Sequence, residues 1–236
     1  MLGLANGLAS TSYQWQPNMV GADLKLWLRN GVGITLNGTD VSQWDDSSGN
    51  SSHAAQTTAG EQGLASGGGI DFEFDNGDHY DFASDIGIVT DEAFMAFIVI
   101  QLETATTEGL FGQSTGVFIE VNTQKKIKVK TGGDQAANTL PTFGGTPFAT
   151  GEKLVLGIKR DSGSDGTLHT YKNGTLLTPA AAKDSNGRLH IDTLGTKSAS
   201  NFFDGIMYEV LIYDTTDLTA SEITKISNYL NNKHGL

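Results

Sequence analysis

Residues 201–236 read NFFDGIMYEVLIYDTTDLTASEITKISNYLNNKHGL, and the hydrophobic period changes part-way along them. Up to Asp214 the period is two. Ile206, Tyr208, Val210 and Ile212 fall on one side of the pattern, Met207, Glu209, Leu211 and Tyr213 on the other. Both sets carry bulk, which predicts a strand covered on both faces. After Thr219 the period becomes helical, with Ile223, Ile226, Tyr229 and Leu230 in one apolar stripe. Thr219 with Glu222 three residues on is a capping box, and Gly235 supplies the stop. The stretch therefore predicts an interior strand of a β-sandwich followed by a single helix.

The rest of the chain extends this reading. Residues 93–100, AFMAFIVI, form the longest apolar run, and its length and β-branching predict a buried central strand. In residues 23–31 Leu24, Leu26 and Leu28 alternate with Lys25, Trp27 and Arg29, predicting a strand with one aliphatic face. Asn173-Gly174 sits between alternating runs, the signature of a type I′ hairpin. Thirty glycines and four prolines fit many short strands joined by tight turns. No shift of composition marks a second domain. The expected architecture is an all-β, two-sheet antiparallel jelly-roll sandwich over residues 21–236 with a short C-terminal helix. Residues 1–20 are expected to form an N-terminal arm, since Leu2, Leu4 and Leu8 are separated by small and polar residues and have no amphipathic period.

Composition excludes several classes of function. With no cysteine there is no disulfide and no thiolate metal site. The formal net charge is −12 and the arginines are Arg29, Arg160 and Arg188, so no basic footprint for nucleic acid or an anionic membrane is visible. No run is long enough for a transmembrane helix. The start lacks a basic n-region, which implies synthesis in a cytoplasm without a cleaved signal. The five histidines are scattered singly, with no zinc-type spacing. No nucleophile elbow and no P-loop lysine is present.

The closing stretch resembles the end of laminin-G-like, concanavalin A-like jelly-roll domains, which finish in F-x-G-x-[IM]-x-E-V-x-[IV]-Y, an acidic link, a Leu and an S/T-x-x-E helix start. Phe203, Gly205, Met207, Glu209, Val210, Ile212, Tyr213, Leu218, Ser221 and Glu222 stand at those positions. The W-x-D-x-S-G-N loop at 44–50, GGGIDFEFDNGDHYDF at 67–82 and the Y-x-N-G hairpin at 171–174 agree. A narrower resemblance, carried by MLGLANGL, LWLRNGVG, GGGIDFEF and YLNNKHGL, is to virion proteins of tailed phages, especially those of marine cyanobacteria. It implies a non-enzymatic structural protein at a virion surface, as a capsid decoration or fibre head. Such a protein would assemble with other virion proteins or with copies of itself, as a homo-oligomer, through residues 1–20. The alternative is a lectin-like, carbohydrate-binding module that recognises host surface glycans.

Two sets of carboxylates are chemical candidates. Asp71, Glu73 and Asp75 alternate with Phe72 and Phe74, so a strand would hold them on one side. Glucanases of this architecture place an acid and a nucleophile on one strand, and a retaining pair needs carboxyls about 5–5.5 Å apart. Their E-x-D-x-x-E or E-x-D-x-E pattern is missing, and only Trp15, Trp27 and Trp44 could stack on sugars. The expectation is a solvated strand face and no enzyme. Asp75, Asp78 and Asp46 are the candidate Ca2+ ligands, because hard cations need several oxygens close together and laminin-G-like domains often hold Ca2+. The competing reading is structural, with an Asx turn around Gly77 and a loop cap at Asp46.

Overall fold

The strand that closes the β region, β17 (Gly205–Asp214, numbered in chain order), is buried at every position. The computed structural model describes residues 15–20, 23–104, 106–114, 116–123, 126–132, 138–139, 148–164, 166–181, 187–214 and 217–236. One flank of β17 pairs along its length with β8 (Phe94–Leu102). Its other flank is shared between β1 (Asp23–Leu28) and β6 (Gly69–Phe72). Beyond β8 lie β13 (Lys153–Arg160), β14 (Leu168–Lys172) and β15 (Thr175–Ala181), which completes the first layer. The second layer runs β7 (Tyr80–Ile88), β16 (Leu189–Leu194), β9 (Glu108–Ser114), β10 (Val117–Val121), β11 (Ile127–Lys130) and β12 (Asn138–Thr139). Short strands β2 (Ile34–Asn37), β3 (Asp40–Trp44), β4 (Ala54–Ala55) and β5 (Leu64–Ser66) join the layers at one edge. Every pairing is antiparallel, and the core between the layers holds Leu26, Phe72, Ile98, Phe111, Leu156 and Val210. The expected all-β sandwich with one C-terminal helix is the architecture found.

Strict alternation fails at several register shifts, among them one on β17 and one on β1. In β17, Met207 faces Ile100 of β8 and Glu209 faces the next residue, Val99, so Tyr208 is an extra residue. Such a bulge turns the following side chains over. Met207, Val210 and Ile212 point into the inter-layer core, while Ile206, Tyr208, Leu211 and Tyr213 point outward. The expected grouping of Val210 and Ile212 with Ile206 and Tyr208 is corrected accordingly. In β1, Leu24 pairs with Tyr213 and Leu26 with Ile212, which makes Lys25 the extra residue. Leu26 and Leu28 stay in the core, but Leu24 joins Trp27 on the outer face.

That outer face is covered by α1 (Ala220–His234). Its N-terminus carries the expected box: the Glu222 amide donates to Thr219 Oγ1 at 3.3 Å and the Thr219 amide donates to Glu222 Oε2 at 2.9 Å. Gly235 ends it at φ 70°. Ile223, Ile226 and Leu230 are buried against Trp27, Phe97 and Leu211. Burial on that scale contributes roughly 1.5–3 kcal/mol per side chain as an upper figure. A polar clamp adds to it. The fully buried Glu209 accepts from Trp27 Nε1 at 2.8 Å, Lys233 Nζ at 2.7 Å and His234 Nε2 at 2.8 Å. Burial pushes its carboxyl up, but the bonds from His234, Lys233 and Trp27 outweigh this and hold it below the usual carboxylate range.

The β14–β15 hairpin turns through Asn173 (φ 51°) and Gly174 (φ 85°), as a type I′ turn requires. A Cβ on Gly174 would lie 2.8 Å from Ser227 Cβ, so the turn needs glycine both for its dihedral and for its approach to α1. Of the segment expected to form an arm, residues 15–20 are described and lie against the fold. Pro17–Met19 form a 3-10 turn, and the Tyr213 hydroxyl donates to Pro17 O at 3.1 Å. Residues 1–14 lie outside the described residues. Among those described, no helix is long and apolar enough to cross a membrane.

Candidate functional site: a cleft beside the C-terminal helix

Next to its buried stripe, α1 presents a second stripe. Lys225, Asn228, Tyr229, Asn232 and Lys233 follow at i, i+3, i+4, i+7 and i+8, which places them on one face. Opposite stand Arg29, one residue beyond β1, and Trp15 and Gln16, where the chain comes in towards β1. Together they line a cleft of about 750 Å³. The Trp15 and Tyr229 ring centres are 6.1 Å apart, edge to face at 68°, and Trp27 meets Tyr229 from below at 6.5 Å and 72°. Trp27 is itself fixed by Glu209, so the clamp that docks the helix also supports the cleft floor. The Arg29 guanidinium lies 5.0 Å from the Trp27 ring centre, and Lys233 Nζ lies 5.8 Å from that of Tyr229.

The chemistry of the lining differs from the rest of the surface. Two aromatic rings, three carboxamides and three cations line the cleft, without an Asp or Glu, in a chain of net charge −12. Lys233 shares its charge with Glu209. Neither Arg29 nor Lys225 is in an ion pair among the described residues, and Arg29 Nε is buried without a hydrogen-bond partner. Burial and the Glu209 charge push the Tyr229 hydroxyl up, and Arg29 pulls it back in part. Rings that offer a flat apolar surface, amides that pair with hydroxyls and cations that meet acids suit a small polar ligand. Nothing in the lining can serve as a pair of catalytic carboxyls.

The residues singled out in the sequence lie elsewhere. Asp46 is a loop cap: Oδ1 accepts from the amides of Trp27 at 2.9 Å and Ser48 at 2.8 Å, and Oδ2 from Ser48 Oγ at 2.7 Å and the Ser52 amide at 3.2 Å. Asp75 is exposed on a 3-10 turn. Asp78 is buried, with Oδ2 accepting the Glu73 amide at 2.9 Å and Oδ1 unpartnered. Its carboxyl is pushed up to about 6 by burial first, then by the charges of Glu73 and Asp40. Among the described residues no group of three or more acidic or histidine side chains is placed to hold a metal. Nor do Asp71, Glu73 and Asp75 form a row. β6 ends at Phe72, because the chain turns at Phe74–Asn76 and carries Asp75 away. Asp71 and Glu73 instead join Asp204 in an acidic patch, where burial and neighbouring charge raise both carboxyls.

Sequence reasoning missed the cleft. Tyr229 was assigned to the apolar stripe, and it is half-buried at its margin. The spacing of Lys225, Asn228, Asn232 and Lys233 was the available signal. Nothing local ties that helix face to Arg29 or Trp15, some two hundred residues away in the chain.

No family model and no curated protein matches the chain. Solved structures do. Domain 4 of an extracellular arabinanase from Geobacillus stearothermophilus, in complex with arabinotriose, is similar over 87% of this chain and 98% of its own, with 17% identity and a TM-score of 0.54. The concanavalin A-like fold is thereby shown. The ligand-binding domain of botulinum neurotoxin serotype D, in complex with N-acetylneuraminic acid, matches over 88% of this chain and 51% of its own, at 12% identity and a TM-score of 0.54. A Trypanosoma rangeli sialidase matches over 86% of this chain, which spans 32% of the sialidase, at 14% identity and a TM-score of 0.55. At these identities the likeness is one of fold. None of these proteins is a phage protein, so the virion reading rests on the sequence resemblance alone.

Proposed function

We propose that the chain is a carbohydrate-binding module without hydrolytic activity, and that the cleft between α1 and Arg29 is its glycan site. The observation that carries this is the convergence of Trp15 and Tyr229 with Gln16, Asn228 and Asn232 in one concave lining. Sugars have apolar C–H faces that pack on rings, and hydroxyls that pair with amides through bonds of fixed direction. Two of the structurally similar domains were solved with a saccharide bound, which supports the reading without locating the site. The proposal of a module without hydrolysis is supported by the placement of the acids: Asp71, Glu73 and Asp75 do not stand in a row, and no carboxylate is among the residues that line the cleft. On the resemblance to phage virion proteins, the module is placed at a virion surface with host glycan as its partner, and mass spectrometry of purified particles tests that placement.

The reading itself is tested by screening a glycan array and then titrating the best ligand into wild type, Trp15→Ala and Tyr229→Ala, with melting curves to verify folding. Binding by wild type that weakens about tenfold or more in either variant, roughly 1.4 kcal/mol, with no reducing ends released, is the expected result. Undiminished binding by both folded variants would place the glycan elsewhere.

A further inference from the structure

We infer that the sugar taken by this cleft carries a carboxylate, which pairs with Arg29 and Lys225; this rests on the proposal that the cleft is a glycan site. The chain has 27 acidic against 15 basic side chains, so a groove of average composition would be negative. This one holds Arg29, Lys225 and Lys233 and no acid. Glu209, which Lys233 reaches at 2.7 Å, lies fully buried under the helix and is engaged by Lys233, His234 and Trp27. Its charge is felt at Tyr229, yet two cations of the lining remain without an ion-pair partner among the described residues.

Arg29 is the stronger of the two. The Trp27 face holds its guanidinium 5.0 Å from the ring centre, and its Nε is removed from water without a hydrogen-bond acceptor. An unmet donor of this kind costs about 1–3 kcal/mol, which an incoming acceptor would recover. A guanidinium so oriented matches a planar carboxylate through two parallel bonds. Lys225 is exposed on the helix and adds an unoriented charge. Neutral sugars could use the rings and amides of this cleft and offer Arg29 a hydroxyl oxygen, but they bring no negative charge to pair with the guanidinium and with Lys225.

The test compares pairs that differ only in the acid. Oligogalacturonate is set against its methyl ester, and sialyllactose against lactose, which separates uronic from sialic acids as the source of the carboxylate. Each is titrated into wild type, Arg29→Gln and Lys225→Gln at about 50 and 300 mM salt; screening across this range is strong for exposed charges. The expected result is at least one acid bound about tenfold more tightly than its neutral partner, a preference reduced by salt and by either substitution. Lys225→Gln changes an exposed helix residue and keeps the test valid if Arg29→Gln melts early. Equal binding of acid and neutral forms, or a preference that survives both substitutions, overturns the inference while leaving the glycan site standing. Failure of every saccharide, neutral ones included, overturns both.

Discussion

Glu209 and Asp78 are both buried carboxyls, and their surroundings act in opposite directions. Three donors hold Glu209 below the usual range, so its contribution to stability is present above its ordinary value of 4.5 and is lost as pH falls through the lowered folded value. Glu209→Gln should therefore cost about 2–4 kcal/mol near neutral pH, because Lys233 and His234 lose their partner. The gap in melting temperature from wild type should close as the pH is taken progressively below 4.5; a gap independent of pH would show that the side chain acts through shape alone. For Asp78 the sign is reversed. Its carboxyl is pushed up to about 6 from 3.8 by burial and neighbouring acids, so its contribution is full below 3.8 and is lost as pH rises through about 6. Asp78→Asn keeps an acceptor for the Glu73 amide and should raise stability by about 1–3 kcal/mol at high pH and by little at low pH. Melting curves at the two extremes decide this, and destabilisation at both would contradict it.

Elements were legible wherever the signal was local. The Thr219–Glu222 box, the Asn173-Gly174 turn and the two-faced apolar run of β8 each need only a few neighbouring residues, and each stands where it was expected. The bulges at Lys25 and Tyr208 were not legible, because an extra residue is defined by the partner strand, which lies far off in sequence. The row of Asp71, Glu73 and Asp75 failed for a related reason: alternation continues past Phe72 in the sequence, but the strand does not. At this scale Gly174→Ala should lower stability by about 1–2 kcal/mol, since alanine meets both a positive φ and Ser227. Replacing the exposed Gly151, also at positive φ (75°) but with open space around it, should cost less. Equal losses would mean that the contact with α1 carries no weight.

Across the whole molecule, function depends on how far the chain must travel to build a site. The fold was legible because strand period, turn chemistry and the helix start all agree, and agreement among levels is what specifies a structure. The cleft was not, because α1, β1 and the residues before it meet only once the sandwich has closed. Asp46 and Asp78 cap backbone amides, while among the residues that line the cleft Tyr229 reads in the sequence as core, Arg29 as part of a strand and Trp15 and Gln16 as arm. Three tryptophans make the central claim directly measurable, because each indole N–H gives its own NMR signal. Trp44 is buried and its indole donates to the backbone carbonyl of Arg29 at 3.1 Å, whereas the Trp15 ring itself lines the cleft. On titration with a glycan selected by array, the Trp15 indole signal should move in proportion to saturation. A saturating glycan that leaves Trp15 unmoved and shifts amides of the loops around Asp46 or Asp78 instead would contradict the account.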